Sequence, residues 1–399
     1  MLSIAKIYDA AKVLNKVAKK TDLILSKTII EDKDLYLKAE NLQMTGSFKL
    51  RGAYYKISKL TEEQKKKGII ACSAGNHAQG VALAAQKNNI KATIFIPATA
   101  PISKVEATRK YGAEIKLIDG VYDDAYKAAC EYQKETGAEF IHPFNDEDVI
   151  AGQGTIGLEI LEQLPDIESV VVPIGGGGLI AGIAYAVKQL KPSCKVYGVQ
   201  AQGAGSMYES YKKKEILELP TVHTFADGTA VKRPGDLTFE LCTEYVDDIV
   251  TVTDDETASS ILALMEKQKI VSEGAGALSV AAAMFNKIPY NDKTVCIVSG
   301  GNIDVNILSR VINRGLLTAG RLSNLTIELL DKPGQLKEVS SIIAEYGANV
   351  IRVRHNQGGG HTDINACFLQ ISMETKNAEH FKQIQKALIE KGYKIISTL

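Results

Sequence analysis

A lysine beside small residues is ordinarily a solvated side chain. Lys49, in Thr45-Gly46-Ser47-Phe48-Lys49-Leu50-Arg51-Gly52-Ala53, would pass for one but for three further segments. Ser73-Ala74-Gly75-Asn76-His77-Ala78-Gln79-Gly80 follows a short apolar run and opens a helical pattern. Its small residues let backbone N–H groups approach an anion, and a helix N-terminus favours negative charge. Gly175-Gly176-Gly177-Gly178-Leu179 sits between the apolar run 170–174 and a helix from Ile180, the setting of a phosphate cup. Ser299-Gly300-Gly301-Asn302 places a hydroxyl at the end of another apolar run. Each segment alone is weak, because a glycine run after a strand is most often a plain turn. Four consecutive glycines lack the G-x-G-x-x-G spacing of a dinucleotide site, and no Lys-Ser or Lys-Thr follows them as in a P-loop. Together, a lysine, two anion cups and a strand-end hydroxyl suit a phosphate-bearing aldehyde held as a Schiff base.

Something must carry these segments to one place. Short β-branched runs at 68–71, 92–96, 114–118, 170–174, 195–199 and 294–298 alternate with helical patterns. The helices are expected at 79–88, 102–111, 122–136, 179–190 and 258–269. Apolar strands separated by helices imply parallel sheets covered on both faces, an α/β fold with ligands at strand ends. After about residue 320 the order changes to strand (325–330), helix (335–346), strand (349–355), strand (365–372), helix (378–391) and strand (394–397). That is a ferredoxin-like βαββαβ unit, long enough to stand alone. The expected division is 1–320 and 323–399, with a smaller lobe at 42–148 inside the first part and a linker at 314–323.

The motifs GSFKLRGA, SAGNHAQG, PIGGGGL, ADGTAVKRPG, SEGAGA and SGGN occur in this order. By them the chain resembles the fold type II pyridoxal-phosphate enzymes (the tryptophan synthase β-like fold) and, within these, the threonine dehydratases, over residues 5–320. The tail resembles an ACT regulatory domain, with Asp331-Lys332-Pro333-Gly334-Gln335-Leu336 at its first strand–helix turn. A single ACT-like unit is similar to the intermediate-length dehydratases, between a short catabolic form without one and a long biosynthetic form with a doubled one.

The resemblance implies a role for each matching residue. Lys49 is the Schiff-base lysine of pyridoxal 5′-phosphate, Phe48 packs on the cofactor ring, and Asn76 bonds its 3′-oxygen. Gly175, Gly176, Gly177, Gly178 and Leu179 form the phosphate loop, and Ser299 is the partner of the pyridine nitrogen. Ser73, Ala74, Gly75, Asn76 and His77 hold the substrate carboxylate. Asp331, Pro333, Gly334 and Leu336 mark the regulatory turn, although Asp331 also reads simply as a turn residue before a proline. The implied reaction removes the α-proton of L-threonine through Lys49, expels the β-hydroxyl and releases 2-oxobutanoate and ammonia. A neutral hydroxyl at Ser299 protonates the pyridine nitrogen less than a carboxylate would, which favours β-elimination over transamination. L-serine is the expected secondary substrate, isoleucine or valine the expected class of effector, and a homodimer or homotetramer the expected assembly. A serine-preferring dehydratase is the rival enzyme, since one methyl is worth only about 1–3 kcal/mol of discrimination. An amino-acid-binding regulator with a dead catalytic part is the rival from another class.

Two departures sharpen the reading. Serine racemases carry a second base, a serine, two residues before the asparagine of the 73–77 loop; here that position is Ala74. Several relatives bind a divalent cation through two carboxylates where this chain has Gln200 and Ser206, with Ala204 between them. Neutral oxygens suit a hard dication poorly, so no divalent metal is expected, and a monovalent ion or water is left open.

Forty-seven basic against forty-seven acidic residues give no net charge, which argues against nucleic acid or an anionic membrane as partner. At 399 residues, 45% hydrophobic and 24% charged, the chain reads as two or three globular domains. No apolar run spans a bilayer and the N-terminus lacks a signal-peptide pattern, so a cytoplasmic location is expected. Six scattered cysteines (72, 130, 194, 242, 296 and 367) read as reduced thiols. His77 is read as orienting its loop, and His142, His223, His355, His361 and His380 as surface or structural. Glu273 either faces the substrate or caps a helix, and Lys65-Lys66-Lys67 ends a solvated helix.

Overall fold

The computed structural model describes residues 1–31, 33–289, 293–357 and 366–398. Contacts divide the chain into two compact units, Met1–Val305 and Asn306–Leu399. In the larger unit the strands are β1 (Leu23–Ser26), β2 (Leu35–Ala39), β3 (Ile69–Cys72), β4 (Ala92–Pro97) and β5 (Glu114–Ile118). They continue with β6 (Glu139–Phe140), β7 (Ser169–Pro173), β8 (Lys195–Ala201), β9 (Asp248–Val252) and β10 (Thr294–Val298).

Two sheets form. One has the order β1-β2-β10-β7-β8-β9, parallel except for β1 at its edge. The other, β5-β4-β3-β6, is parallel throughout and falls within residues 69–140. Every residue of β3, β4, β7 and β10 is buried, as continuous apolar strands covered on both faces must be. The helices Asn76–Asn88 and Gly178–Leu190 leave the C-terminal ends of β3 and β7, and β7 neighbours β10. The three glycine- and serine-bearing segments therefore all lie at C-terminal strand ends.

Some expected boundaries moved. The helix after β3 begins at Asn76, not residue 79, because Asn76 and His77 are polar first-turn residues that break an apolar pattern without breaking a helix. The helix expected at 258–269 starts earlier, at Asp254, on a Thr253–Glu256 capping box, and passes at Leu264–Gln268 into a π-helical turn.

The smaller unit holds β11 (Leu322–Leu330), β12 (Asn349–Gln357), β13 (Ala366–Glu374) and β14 (Lys394–Thr398) in the antiparallel order β12-β13-β11-β14. Helices Gln335–Glu345 and Ala378–Glu390 complete the βαββαβ order, and Leu325, Ile327, Val339, Ile343, Leu369 and Ile384 make its core. The stretch expected to be a linker is largely structured: the helix Val305–Thr318 runs through its first half and β11 takes its end. Ile307, Leu308, Val311, Ile312 and Leu316 recur at helical spacing, a pattern that the polar residues between them disguised. His361 and Asn365 lie outside the described residues. No helix among the described residues is long and apolar enough to cross a membrane.

Candidate active site

Lys49 owes its place to a pairing between distant parts of the chain. Ser47 bridges Gly300, the Phe48 N–H donates to Ser299 O at 3.1 Å, and the Gly301 N–H donates to Gly46 O at 2.9 Å. Gly46 has φ +71°, and a Cβ there would stand 2.5 Å from Asn302 Oδ1, so glycine is required twice over. Lys49 then opens the helix Lys49–Ser58. Two residues on, Arg51 clamps that helix inside the unit. Its guanidinium meets both oxygens of Glu40 at 2.7 and 2.8 Å and Glu159 at 2.6 Å, and Lys38 meets Glu159 at 2.6 Å. Burial alone would raise the Glu40 pKa, but the Arg51 charge holds it below the carboxylate range.

The Lys49 amine donates to Pro143 O at 2.7 Å. Burial lowers its pKa to about 8, against a smaller upward pull from Glu273. At pH 7 roughly a tenth of such an amine is uncharged, against well under a thousandth of an ordinary lysine. Close by, Asn76 Nδ2 donates to Glu273 Oε1 at 2.5 Å, and Asn302 Nδ2 donates to Asn76 Oδ1 and to Thr45 O, both at 2.7 Å. Burial first and the Asp227 charge second raise the Glu273 carboxyl to about 7. Glu273 occupies the N-cap position of the helix Gly274–Met284, yet its side chain makes no cap bond and turns to Asn76 instead. His77 bonds Ile141 O at 2.7 Å, and burial with the Lys49 charge drives its pKa to about 3, so it is neutral.

The carbonyls of the glycine loop are taken up by protein donors, which leaves its N–H groups on the opposite side. Gly176 O accepts from Thr238 Oγ1 at 2.6 Å, and Gly175 O faces Gln200 Nε2 at 3.5 Å. A trans peptide points its N–H opposite its C=O, so the Gly176 and Gly177 N–H groups turn the other way. Those of Gly178 and Leu179, in the first helical turn, have no intrahelical acceptor. A Cβ on Gly176 would lie 2.4 Å from the Phe144 ring, so that loop position tolerates no side chain. Ser299 Oγ makes one long contact, 3.4 Å to Ala275 O, and Ser47 Oγ is buried without a partner among the described residues. An amine of lowered pKa, a loop of N–H groups turned away from its bonded carbonyls and under-used hydroxyls fit a phosphate-bearing aldehyde with an aromatic nitrogen.

Phe48 is half-buried, its ring centre 5.3 Å from Lys49 Nζ. Ser73 Oγ accepts from the Gly75 N–H at 3.2 Å, and Ala74 is partly buried against the smaller lobe's core. Gln200 and Ser206 are engaged by protein: Gln200 Oε1 accepts from the Tyr208 N–H and Ser206 Oγ donates to Val231 O, both at 2.7 Å, while Ala204 is buried. In the smaller unit Asp331, Pro333, Gly334 and Leu336 are all exposed, beside a cavity of about 320 Å³ lined in part by Leu330, Gln335 and Glu338.

Sequence reading missed the segment 142–145. Pro143 receives the Lys49 amine, Phe144 backs the glycine loop, and His142 Nδ1 accepts from the Phe144 and Asn145 N–H groups. His142 is structural, as expected, yet it stands close enough to Lys49 for that charge, after burial, to depress its pKa to about 4. A proline loop between a strand and a helix was the available signal.

The family described as pyridoxal-phosphate dependent enzyme matches residues 15–300, and the ACT domain matches 323–390. An L-threonine ammonia-lyase of Thermotoga maritima is 50% identical over 398 residues, 99% of either chain. The processed form of threonine deaminase isoform 2 from Solanum lycopersicum superposes with a TM-score of 0.75 at 40% identity, covering 78% of this chain and 88% of that one. Maize serine racemase gives a TM-score of 0.75 at 37% identity, covering 79% and 98%. With the matched residues taking in Lys49, the glycine loop and the β3 and β10 strand ends, the chain belongs to the pyridoxal-phosphate-dependent enzymes and carries a C-terminal ACT domain.

Proposed function

We propose that this chain catalyses the deaminating dehydration of L-threonine to 2-oxobutanoate and ammonia, with L-serine as a secondary substrate. The observation that carries the proposal is the Lys49 amine, buried at pKa about 8 among strand ends that also bear the glycine loop. Relatives named for the same reaction over the whole length support it. Pyridoxal 5′-phosphate, when bound through Lys49, supplies the electron sink that acidifies the substrate α-carbon.

The remaining work falls to the chain's own groups. Gly175 to Leu179 would hold the phosphate through backbone N–H groups, and Ser299 would meet the ring nitrogen with a neutral hydroxyl. Ser73 to His77, at the start of the helix Asn76–Asn88, would hold the substrate carboxylate. Once displaced by the substrate amine, Lys49 Nζ would take the α-proton; its lowered pKa keeps a usable fraction unprotonated. Glu273 would act as a positioning residue, fixing Asn76 through the 2.5 Å hydrogen bond. Ala74 offers no acid or base on the opposite side, which supports elimination over racemisation.

Through the turn at 331–336 the ACT domain would bind an amino acid such as isoleucine or valine, in a homodimeric or homotetrameric assembly. Six free cysteines support a reducing, cytoplasmic setting. Steady-state kinetics on threonine and serine, with and without isoleucine and valine, test the reading. Borohydride reduction should trap the cofactor on a peptide containing Lys49. A modified peptide elsewhere, or faster turnover of serine than of threonine, would overturn it.

A further inference from the structure

The smaller unit brings together three side chains whose chemistry the proposed reaction does not use. Asp331 immediately follows β11, His355 lies in β12, and Cys367 lies in β13, the strand between them. Register explains the meeting. Cys367 pairs with Leu329 on one side and Gln357 on the other, and His355 pairs with Leu369, so His355 and Cys367 are diagonal neighbours on one face. Asp331, two residues beyond Leu329, reaches the same end of that face from the opposite strand. One carboxylate oxygen, one ring nitrogen and the thiol sulfur all lie within 4.8 Å of one another. Cys367 is buried, whereas Asp331 and His355 are exposed.

We propose that Asp331, His355 and Cys367 form a binding site for a divalent transition ion of the zinc class, with a fourth position left to water. One oxygen, one nitrogen and one sulfur donor make a borderline-soft set that selects zinc, cobalt or related ions over magnesium and calcium, which take oxygen shells. Tetrahedral zinc with bonds of about 2.0–2.3 Å sets its ligands roughly 3.2–3.7 Å apart. The three ligand atoms already lie within 4.8 Å of one another, and the two exposed side chains, unlike the buried sulfur, have room to adjust toward that spacing. Binding replaces the thiol proton with the metal, the proton passing to solvent, and involves no redox change. The ion would tie β11, β12 and β13 together at one end of the sheet. The proposal stands on this unit alone and is independent of the threonine reading.

The test is a titration of the full-length holoenzyme, first stripped of adventitious metal by chelation, with cobalt(II). One equivalent per chain should produce a near-ultraviolet thiolate-to-cobalt charge-transfer band, and zinc should bleach it by displacement. Cys367→Ser should abolish the band. His355→Ala, a change at an exposed position, should weaken cobalt binding about tenfold or more while leaving the metal-free melting temperature unchanged. This variant carries the test if Cys367→Ser fails to fold. Absence of the band in the unsubstituted chain, or undiminished affinity in His355→Ala, would overturn the proposal.

Discussion

β7 is a continuous apolar strand and β11 alternates apolar with polar residues, and the two belong to opposite designs. All five residues of β7 are buried, whereas β11 alternates half-buried and buried positions along its length. In the larger unit a sheet covered on both faces leaves only strand ends for chemistry, and the polar groups taken inside need partners there. Arg51 is 1% exposed and Glu40 fully buried, each satisfied by the other. In the smaller unit one sheet face stays open, with the paired Arg354 and Gln370 exposed on it, and the ion pair Lys394–Glu328 lies in water with the lysine 71% exposed. The lesson is that the same type of contact carries a different energy in the two places, because burial removes the solvent that would compensate its loss.

The largest expected effect comes from the group that would be both anchor and base. Lys49→Ala should reduce turnover by at least about 10²–10⁴-fold with the fold intact, since anchor and base vanish together. Residual activity above a few per cent with a wild-type melting profile would remove Lys49 from the mechanism. Next, Arg51→Leu leaves Glu40 and Glu159 without their guanidinium and should cost about 3–5 kcal/mol, whereas Lys394→Met should stay within about 0.5 kcal/mol. Urea midpoints of the two variants decide the matter, and similar losses would break the contrast between the units.

Glu273 gives the contrast a pH dependence. Its carboxyl, ordinarily near 4.5, is held at about 7, so the folded state keeps a proton that the unfolded chain has released. Stability from this group is therefore present at low pH and falls as pH rises from about 4.5 to 7. His77, held at about 3 against an ordinary 6.5, works the other way and destabilises the fold as pH drops below 6.5. From pH 5 to pH 7.5 the melting temperature of the cofactor-free chain should change in a more stabilising direction for Glu273→Gln than for wild type, because the variant keeps the rising His77 contribution and loses the falling Glu273 one. Equal shifts would mean that Glu273 does not titrate in this range.

A chain ending at Arg321 should keep its activity and lose any response to branched-chain amino acids, a coupling of typically about 5–150-fold in apparent affinity. If the full-length chain shows no such response in its threonine saturation curve, the effector assignment fails. The smallest change expected is for Ala74→Ser, which restores a hydroxyl at the racemase position. D-serine formed from L-serine should rise above the wild-type level, and chiral chromatography with no increase would exclude Ala74 as the discriminating position.

Much of this was legible in the sequence where a single local pattern decides the outcome. The strands 114–118 and 294–298 and the helix 122–136 were read with the ends that the structure gives them. The helix has one clear helical period, and both strands end at turn residues, Asp119-Gly120 and Ser299-Gly300. The glycine loop and Ser299 were visible because they interrupt apolar strands. What local reading missed depends on contacts made far along the chain. Arg51 sits inside a motif singled out for Lys49, yet its partners Glu40 and Glu159 lie 11 and 108 residues away. The helix-cap role considered for Glu273 is not the one it takes, because its side chain turns to Asn76, 197 residues distant. Pro143 and Phe144 carry no titratable group at all, and only their placement against Lys49 and Gly176 gives them meaning.

The pairing of Ser47 with Gly300 has a consequence for the order in which the molecule is made. These residues lie about 250 positions apart, so the loop they close is nearly as long as the whole larger unit. Such a closure is entropically late and slow compared with local helix and hairpin formation. During synthesis the segment 46–49 leaves the ribosome well before its partner at 299–301. Only when β10 and Ser299–Gly301 have emerged can the pairing that seats Ser47 and Phe48, next to Lys49, form. The seat of the reactive lysine is thus held by the last strand of the larger unit to be made, and a chain that stops before β10 lacks the partner that fixes the segment 46–48.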